Sequence, residues 1–139
     1  MRLSSFAGAW TLERSIEDTR AGRSGRLAGE ARLTPAADGL AYLEEGTLAF
    51  PGAQPMRASR RYLWREAAAG GIDVLFEDGR FFHRFDPADL APRALHDCGA
   101  DRYRVRYDFS RWPEWRSEWR VSGPAKDYVL CSRFRRPAA

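Results

Sequence analysis

The sequence predicts an all-β fold: one antiparallel up-and-down barrel of about 8–10 strands with at most one short helix. Three observations point there. Apolar residues recur at every second position through ten successive segments, turn-forming residues fall between those segments, and sustained helical periodicity is absent. The 139 residues, 44% of them hydrophobic, suffice for one core, so residues 1–139 are read as a single domain.

In chain order, Trp10, Leu12, Arg14 and Ile16 alternate with polar neighbours and form the first segment. Leu27, Gly29, Ala31 and Leu33 follow, then Leu40, Tyr42, Glu44, Gly46, Leu48 and Phe50, then Met56, Ala58, Arg60, Tyr62 and Trp64. Ile72, Val74 and Phe76 precede Phe81, His83 and Phe85, and Asp78-Gly79 between them predicts a two-residue hairpin. That turn sets Phe76 opposite Phe81, Val74 opposite His83 and Ile72 opposite Phe85, all on one face. Asp86-Pro87-Ala88-Asp89-Leu90 is the one candidate helical turn, with Asp86 as its cap. Ala94, His96 and Cys98 then turn at Gly99-Ala100, which sets His96 opposite Tyr103 and Ala94 opposite Val105. The last three segments are Tyr103 to Phe109, Trp115 to Val121 and Tyr128 to Phe134. A meander of this length removes its edges by closing on itself.

Charge and cysteine content narrow the function classes. Of the 23 basic residues only Lys126 is a lysine, and the net charge of +4 is spread along the chain. That distribution makes nucleic acid an unlikely partner, with an outer face of Arg102, Arg104 and Arg106 next to Arg57, Arg61 and Arg65 as the form it would take. Cys98 and Cys131 belong to no metal-ligand cluster, and two cysteines make no disulfide scaffold, so no metal and no cofactor are expected. No apolar run reaches signal-peptide or membrane-spanning length, and a soluble cytoplasmic protein is the expectation. The oligomeric state is open, a homodimer included.

Polar side chains on the inward stripe are the informative ones, because burial without a partner is costly. Arg14, Glu44, Arg60, His83, His96 and Ser117 all fall there. A turn at Pro51-Gly52-Ala53 brings Glu44 opposite Arg60, as a structural ion pair or as a polar floor for a ligand's carboxylate or phosphate. Arg14 has no local partner and is the anion-binding candidate. His83, between Phe81 and Phe85, is a hydrogen-bonded core histidine, a ligand contact, a general base or a haem ligand. Tyr42, Trp64, Phe76, Tyr107, Trp115 and Trp119 line the same interior and favour a ring-containing ligand.

Gly8-Ala9-Trp10, opening the first strand, resembles the Gly-x-Trp signature of the calycins, which include lipocalins, fatty-acid-binding proteins and nitrobindin-like barrels. The resemblance implies that Trp10 plugs one end of the barrel and that an arginine of the last strand, Arg133 or Arg135, packs over it. The segments Arg60–Arg65, Val74–Arg80 and Tyr103–Phe109 also resemble a bacterial domain of unknown function, which implies no activity. Only Ala21 to Gly25 separates the first two strands, leaving no room for the two-helix lid of fatty-acid-binding proteins. The chain is nearer to the lidless nitrobindin-like barrels, which implies haem binding through His83 as one alternative. The leading expectation is a small, partly aromatic or anionic molecule bound inside the barrel by Arg14, Tyr42, Glu44, Arg60, Trp64, His83, Tyr107 and Trp119. An enzyme using the same cavity, with His83 as acid or base, is the other alternative.

Overall fold

The computed structural model describes residues 1–138. Its ten strands are β1 (Gly8–Asp18), β2 (Arg23–Ala36), β3 (Gly39–Ala49), β4 (Met56–Glu66), β5 (Ile72–Phe76), β6 (Phe81–Phe85), β7 (Arg93–Cys98), β8 (Asp101–Asp108), β9 (Trp115–Ser122) and β10 (Asp127–Arg135). They form one antiparallel sheet in the order β6-β5-β4-β3-β2-β1-β10-β9-β8-β7, so strands consecutive in sequence pair with one another except β6 and β7, and β1 pairs with β10. The sheet curls into a nearly closed barrel. Its two edge strands, β6 and β7, share no ladder and meet through side chains, with the Phe82 and His96 rings 5.3 Å apart. No helix among the described residues is long and apolar enough to cross a membrane.

The alternation read from the sequence is the inward stripe. Trp10, Leu12, Ala31, Leu33, Tyr42, Trp64, Val105, Tyr107, Trp115 and Phe134 are buried, and their sequence neighbours on each strand face out or sit at the rim. Registers follow the turns. Cys98 pairs with Asp101 across Gly99-Ala100, placing His96 opposite Tyr103 and Ala94 opposite Val105. Pro51-Gly52 closes a turn in which the Ala53 N–H donates to the Phe50 carbonyl and Gly52 takes φ 77°, the conformation that position of a type II turn requires. Glu44 accordingly lies opposite Arg60.

Two local expectations are corrected. The Asp78-Gly79 hairpin is a three-residue loop: only Gly79 has positive φ, its N–H donates to the Phe76 carbonyl, and the Phe76 N–H donates to that of Arg80. This is a type I turn followed by a left-handed glycine, the alternative use of Asp-Gly. The register then shifts, with Val74 opposite His83 but Leu75 opposite Phe81, so Phe82 is an extra residue in β6. Phe82 and His83 therefore both point inward, and Phe81 is 50% exposed rather than a core residue. Secondly, the short helix is not at Asp86–Leu90, which is a turn in which Asp86 accepts from the Ala88 N–H. The one helical element among the described residues is a 3₁₀ turn, Leu3–Phe6, ahead of β1.

That 3₁₀ turn closes one end of the barrel. Phe6 and Trp10 are both 0% exposed, and the Trp10 Nε1–H donates to the Phe6 carbonyl at 2.9 Å. Trp112, in the connection before β9, packs edge-on against both rings. Arg136, not Arg133 or Arg135, lies over Trp10, its guanidinium carbon 3.7 Å from the ring centroid and its nitrogens donating to the Ser5, Ala7 and Ala9 carbonyls. The reason is strand phase. Ser132 and Phe134 point inward, so Arg133 and Arg135 point outward to Glu13 and Glu114, whereas Arg136 follows the end of β10 and can fold beneath the barrel.

Candidate functional site

The middle tier of the interior is polar. Arg14 on β1 and Glu44 on β3 form a bidentate pair, with Nη1 and Nη2 donating to the two carboxylate oxygens at 2.6 and 2.9 Å. Arg14 Nε–H donates to Ser132 Oγ at 2.7 Å, and the Tyr42 hydroxyl donates to Glu44 at 2.7 Å. Arg14 must cross β2 to make this pair, and the registers show how. Arg14 pairs with Leu27 and Glu44 with Ala31, so Gly29 is the β2 residue midway between them. Gly29 carries no side chain, and a Cβ there would collide with the Glu45 carbonyl.

This geometry revises the role expected of Arg14. It is not a free anion receptor, because its charge is matched within the core. Burial alone would push the Glu44 carboxyl up, but hydrogen bonds from Arg14 and Tyr42 and the charges of Arg14 and Arg60 together hold it below the usual carboxylate range. Burial likewise opposes the Arg14 charge, and the Glu44 hydrogen bonds and charge outweigh it. Both groups are ionised at neutral pH, and the pair contributes no net charge.

His83 faces this tier from β6, with Nε2 2.7 Å from the Tyr107 hydroxyl. It is 1% exposed, and desolvation, with a smaller push from His96, lowers its pKa to about 3. A neutral imidazole so placed is a hydrogen-bonding group, not a base near neutrality. A haem does not fit beside it. The cavity that Arg14, Glu44, His83, Tyr107 and Trp115 help to line has a volume of about 30 Å³, room for a water-sized group and far too little for a porphyrin. Trp64, Trp115 and Trp119 all line this cavity and fill the space that a wider barrel would leave open.

Arg60 and Trp119 are the two expected ligand contacts that remain accessible. Both are half-buried at the end of the barrel opposite Trp10, with the Arg60 guanidinium carbon 5.6 Å from the Trp119 ring centroid. Tyr62 sits edge-on to Trp119 at 5.9 Å, and the fully buried Phe82 does so at 5.2 Å, so the mouth is two half-buried aromatic rings backed by a third. Arg60 makes no salt bridge among the described residues, although Glu44 lies opposite it in register. Tyr42, Trp64 and Tyr107 form the covered floor, with Tyr42 and Trp64 stacked at 5.8 Å. Tyr62 was placed on the inward stripe by its alternation, but only the structure shows it as a mouth residue. Phe82 and Arg136 gave no signal, since the one depends on a bulge and the other lies past the last strand.

The arginines of the outer surface do not make one basic face. Arg57, Arg61 and Arg65 are on β4, Arg102, Arg104 and Arg106 are on β8, and β5, β6 and β7 intervene. Arg102 pairs with Asp97, and Arg106 and Arg120 share Glu118. A recess of about 500 Å³ on this outer surface, among Arg26, Arg106, Arg116 and Arg133, is bordered by the same kind of ion pair. No group of side chains that could hold a metal ion occurs among the described residues.

A family description covers residues 6–136, nearly the whole length. The chain belongs to DUF6314, a family of unknown function. No curated protein matches the sequence. Among solved structures, the S-type phycobiliprotein lyase CPES from Guillardia theta resembles this DUF6314 barrel with a TM-score of 0.65 at 10% identity, over 99% of this chain and 91% of that one. At that identity the likeness is one of fold.

Proposed function

We propose that this protein binds a small, partly aromatic, anionic molecule at the open end of its barrel. Arg60 takes the negative charge, and Trp119 and Tyr62 take the ring. The observation that carries this reading is Arg60 itself: a half-buried cation set over an aromatic ring, without a salt-bridge partner among the described residues, while the other interior arginine is neutralised by Glu44. Because the central cavity is only about 30 Å³, the ligand lodges by swinging the half-buried Tyr62 and Trp119 aside rather than by dropping into a preformed hole. The unzipped seam between β6 and β7 gives the mouth room to widen, since separating those strands breaks no ladder. Two further points support the reading. A barrel of the same fold serves as a phycobiliprotein lyase. An aromatic plug under an arginine, Trp10 under Arg136, is the arrangement expected of a calycin, the superfamily in which we place the chain. We also place it in the cytoplasm.

Titration with 1-anilinonaphthalene-8-sulfonate, an aromatic anion, tests this. Saturable binding that quenches tryptophan emission is expected, and Arg60→Met should weaken it at least about tenfold, the loss of one charge-assisted contact. Arg61→Met, on the outward face of the same strand, should leave the affinity unchanged. Equal affinity for wild type and Arg60→Met would contradict the assignment.

A further inference from the structure

The outer surface of β7, β8 and β9 carries a block of outward side chains whose charges do not balance. In one row Arg93 lies opposite Arg106, and Arg106 opposite Glu118; in the adjacent row Leu95 lies opposite Arg104, and Arg104 opposite Arg120. Like charges directly opposite each other in a ladder are destabilising, and two such pairs, Arg93–Arg106 and Arg104–Arg120, sit side by side here. The block holds one carboxylate, Glu118, which takes Arg106 at 3.1 Å and Arg120 at 2.7 Å. Arg93 and Arg104 are exposed and have no salt bridge among the described residues. The next row along is built differently, with Arg102 bonded at 2.8 Å to Asp97 opposite it. All six side chains of the block border one recess of about 410 Å³, where Leu95 is 57% exposed. We propose that this face docks an acidic segment of a partner protein, with its carboxylates on Arg93 and Arg104 and an apolar side chain on Leu95.

Charge, polarity and span each restrict the partner. Four guanidiniums around one carboxylate call for an anion, and a guanidinium fork takes a carboxylate through two parallel hydrogen bonds. A free inorganic anion would meet the arginines but leave Leu95 in water. Nucleic acid would supply phosphates, but the recess is lined by no aromatic ring on which a base could stack. A peptide supplies both an apolar side chain and carboxylates, and an apolar centre with arginine around it is a composition that protein interfaces favour. The block crosses three strands spaced about 4.8 Å apart, a span of roughly 10 Å that about three extended residues cover. This surface is independent of the barrel mouth: Trp119 lines the interior, whereas Glu118 and Arg120 on either side of it border the outer recess.

Amide NMR of the isotope-labelled protein, titrated with the end-capped peptide Asp-Asp-Leu-Asp-Asp, tests this. Saturable shifts centred on Leu95, Arg104 and Arg120 are expected, and the double variant Arg93→Ser/Arg104→Ser should weaken binding at least about tenfold. Absence of a saturable shift up to about 1 mM peptide overturns the proposal. Replacing the peptide's leucine with serine should cost about fivefold, the partial burial of one apolar side chain. Equal binding of the serine peptide, or of an oligodeoxythymidylate, would make the face a general anion sink and overturn the partner assigned to it. A further variant separates docking from folding. Arg104→Glu sets a carboxylate opposite Arg120, so it should raise the melting temperature by about 1–4 °C while abolishing peptide binding. A lowered melting temperature would show that Arg104 serves the fold, and would overturn the reading of this block as a docking face.

Discussion

Replacing Arg14 with methionine is expected to lower the unfolding free energy by about 3–5 kcal/mol, the usual cost of leaving one member of a buried ion pair alone. Glu44 would lose both guanidinium hydrogen bonds and keep only the Tyr42 hydroxyl, in a site where it is 3% exposed. Arg60 lies opposite Glu44 on the neighbouring strand, but its guanidinium would have to leave Trp119 to compensate. The double variant Arg14→Met/Glu44→Gln removes both charges and keeps an acceptor for Tyr42. It should recover at least about half of the loss, because the penalty comes from an orphaned charge and not from the missing attraction. Urea unfolding of the two single variants and the double variant measures the coupling. A loss below about 1 kcal/mol for Arg14→Met, as found for surface pairs, would mean that the pair is not sealed in the core.

The second large effect is acid destabilisation by His83. In the folded protein its imidazole stays neutral down to about pH 3, whereas in the unfolded chain it takes up a proton below its ordinary value of about 6.5. Below pH 6.5 the unfolded state therefore binds more protons, and stability falls as pH falls, at about 1.4 kcal/mol per unit. The loss should reach about 2 kcal/mol by pH 5. Glu44 and the paired surface carboxylates of Asp97 and Glu114, all held below their ordinary values, weaken the fold only at lower pH, as they protonate in the unfolded chain. The interval between pH 6.5 and 5 thus isolates the histidine. His83→Gln keeps a partner for Tyr107 and should flatten the slope in that interval. A wild-type stability that is level from pH 7 to 5 would show His83 to be accessible to water.

The barrel was legible because alternation is a local property. Each strand reports its own inward face, and short turns such as Gly99-Ala100 and Pro51-Gly52 carry the register to the next strand. The site was legible only as a set of inward polar residues. Glu44 faces Arg60 in the ladder, as turn counting implies, yet its bonds go to Arg14 two strands away. The clue was Gly29, an inward position with no side chain, and its meaning depends on the curvature of the closed sheet. The Phe82 bulge was hidden because Asp-Gly serves two hairpin types, and choosing between them decides which of Phe81 and Phe82 enters the core. How full the interior is depends on all ten strands at once, so no segment could reveal that Trp64, Trp115 and Trp119 leave a cavity of only about 30 Å³.

The reading of the mouth as a binding site is tested most directly by weighing the protein as it comes from its cells. Native mass spectrometry of the freshly purified chain, set against its denatured mass, should show a reproducible extra mass, lost on denaturation and absent from the Arg60→Met variant. The same extra mass on wild type and Arg60→Met alike would contradict the account, because the ligand would then be held by something other than the Arg60 guanidinium at the barrel mouth.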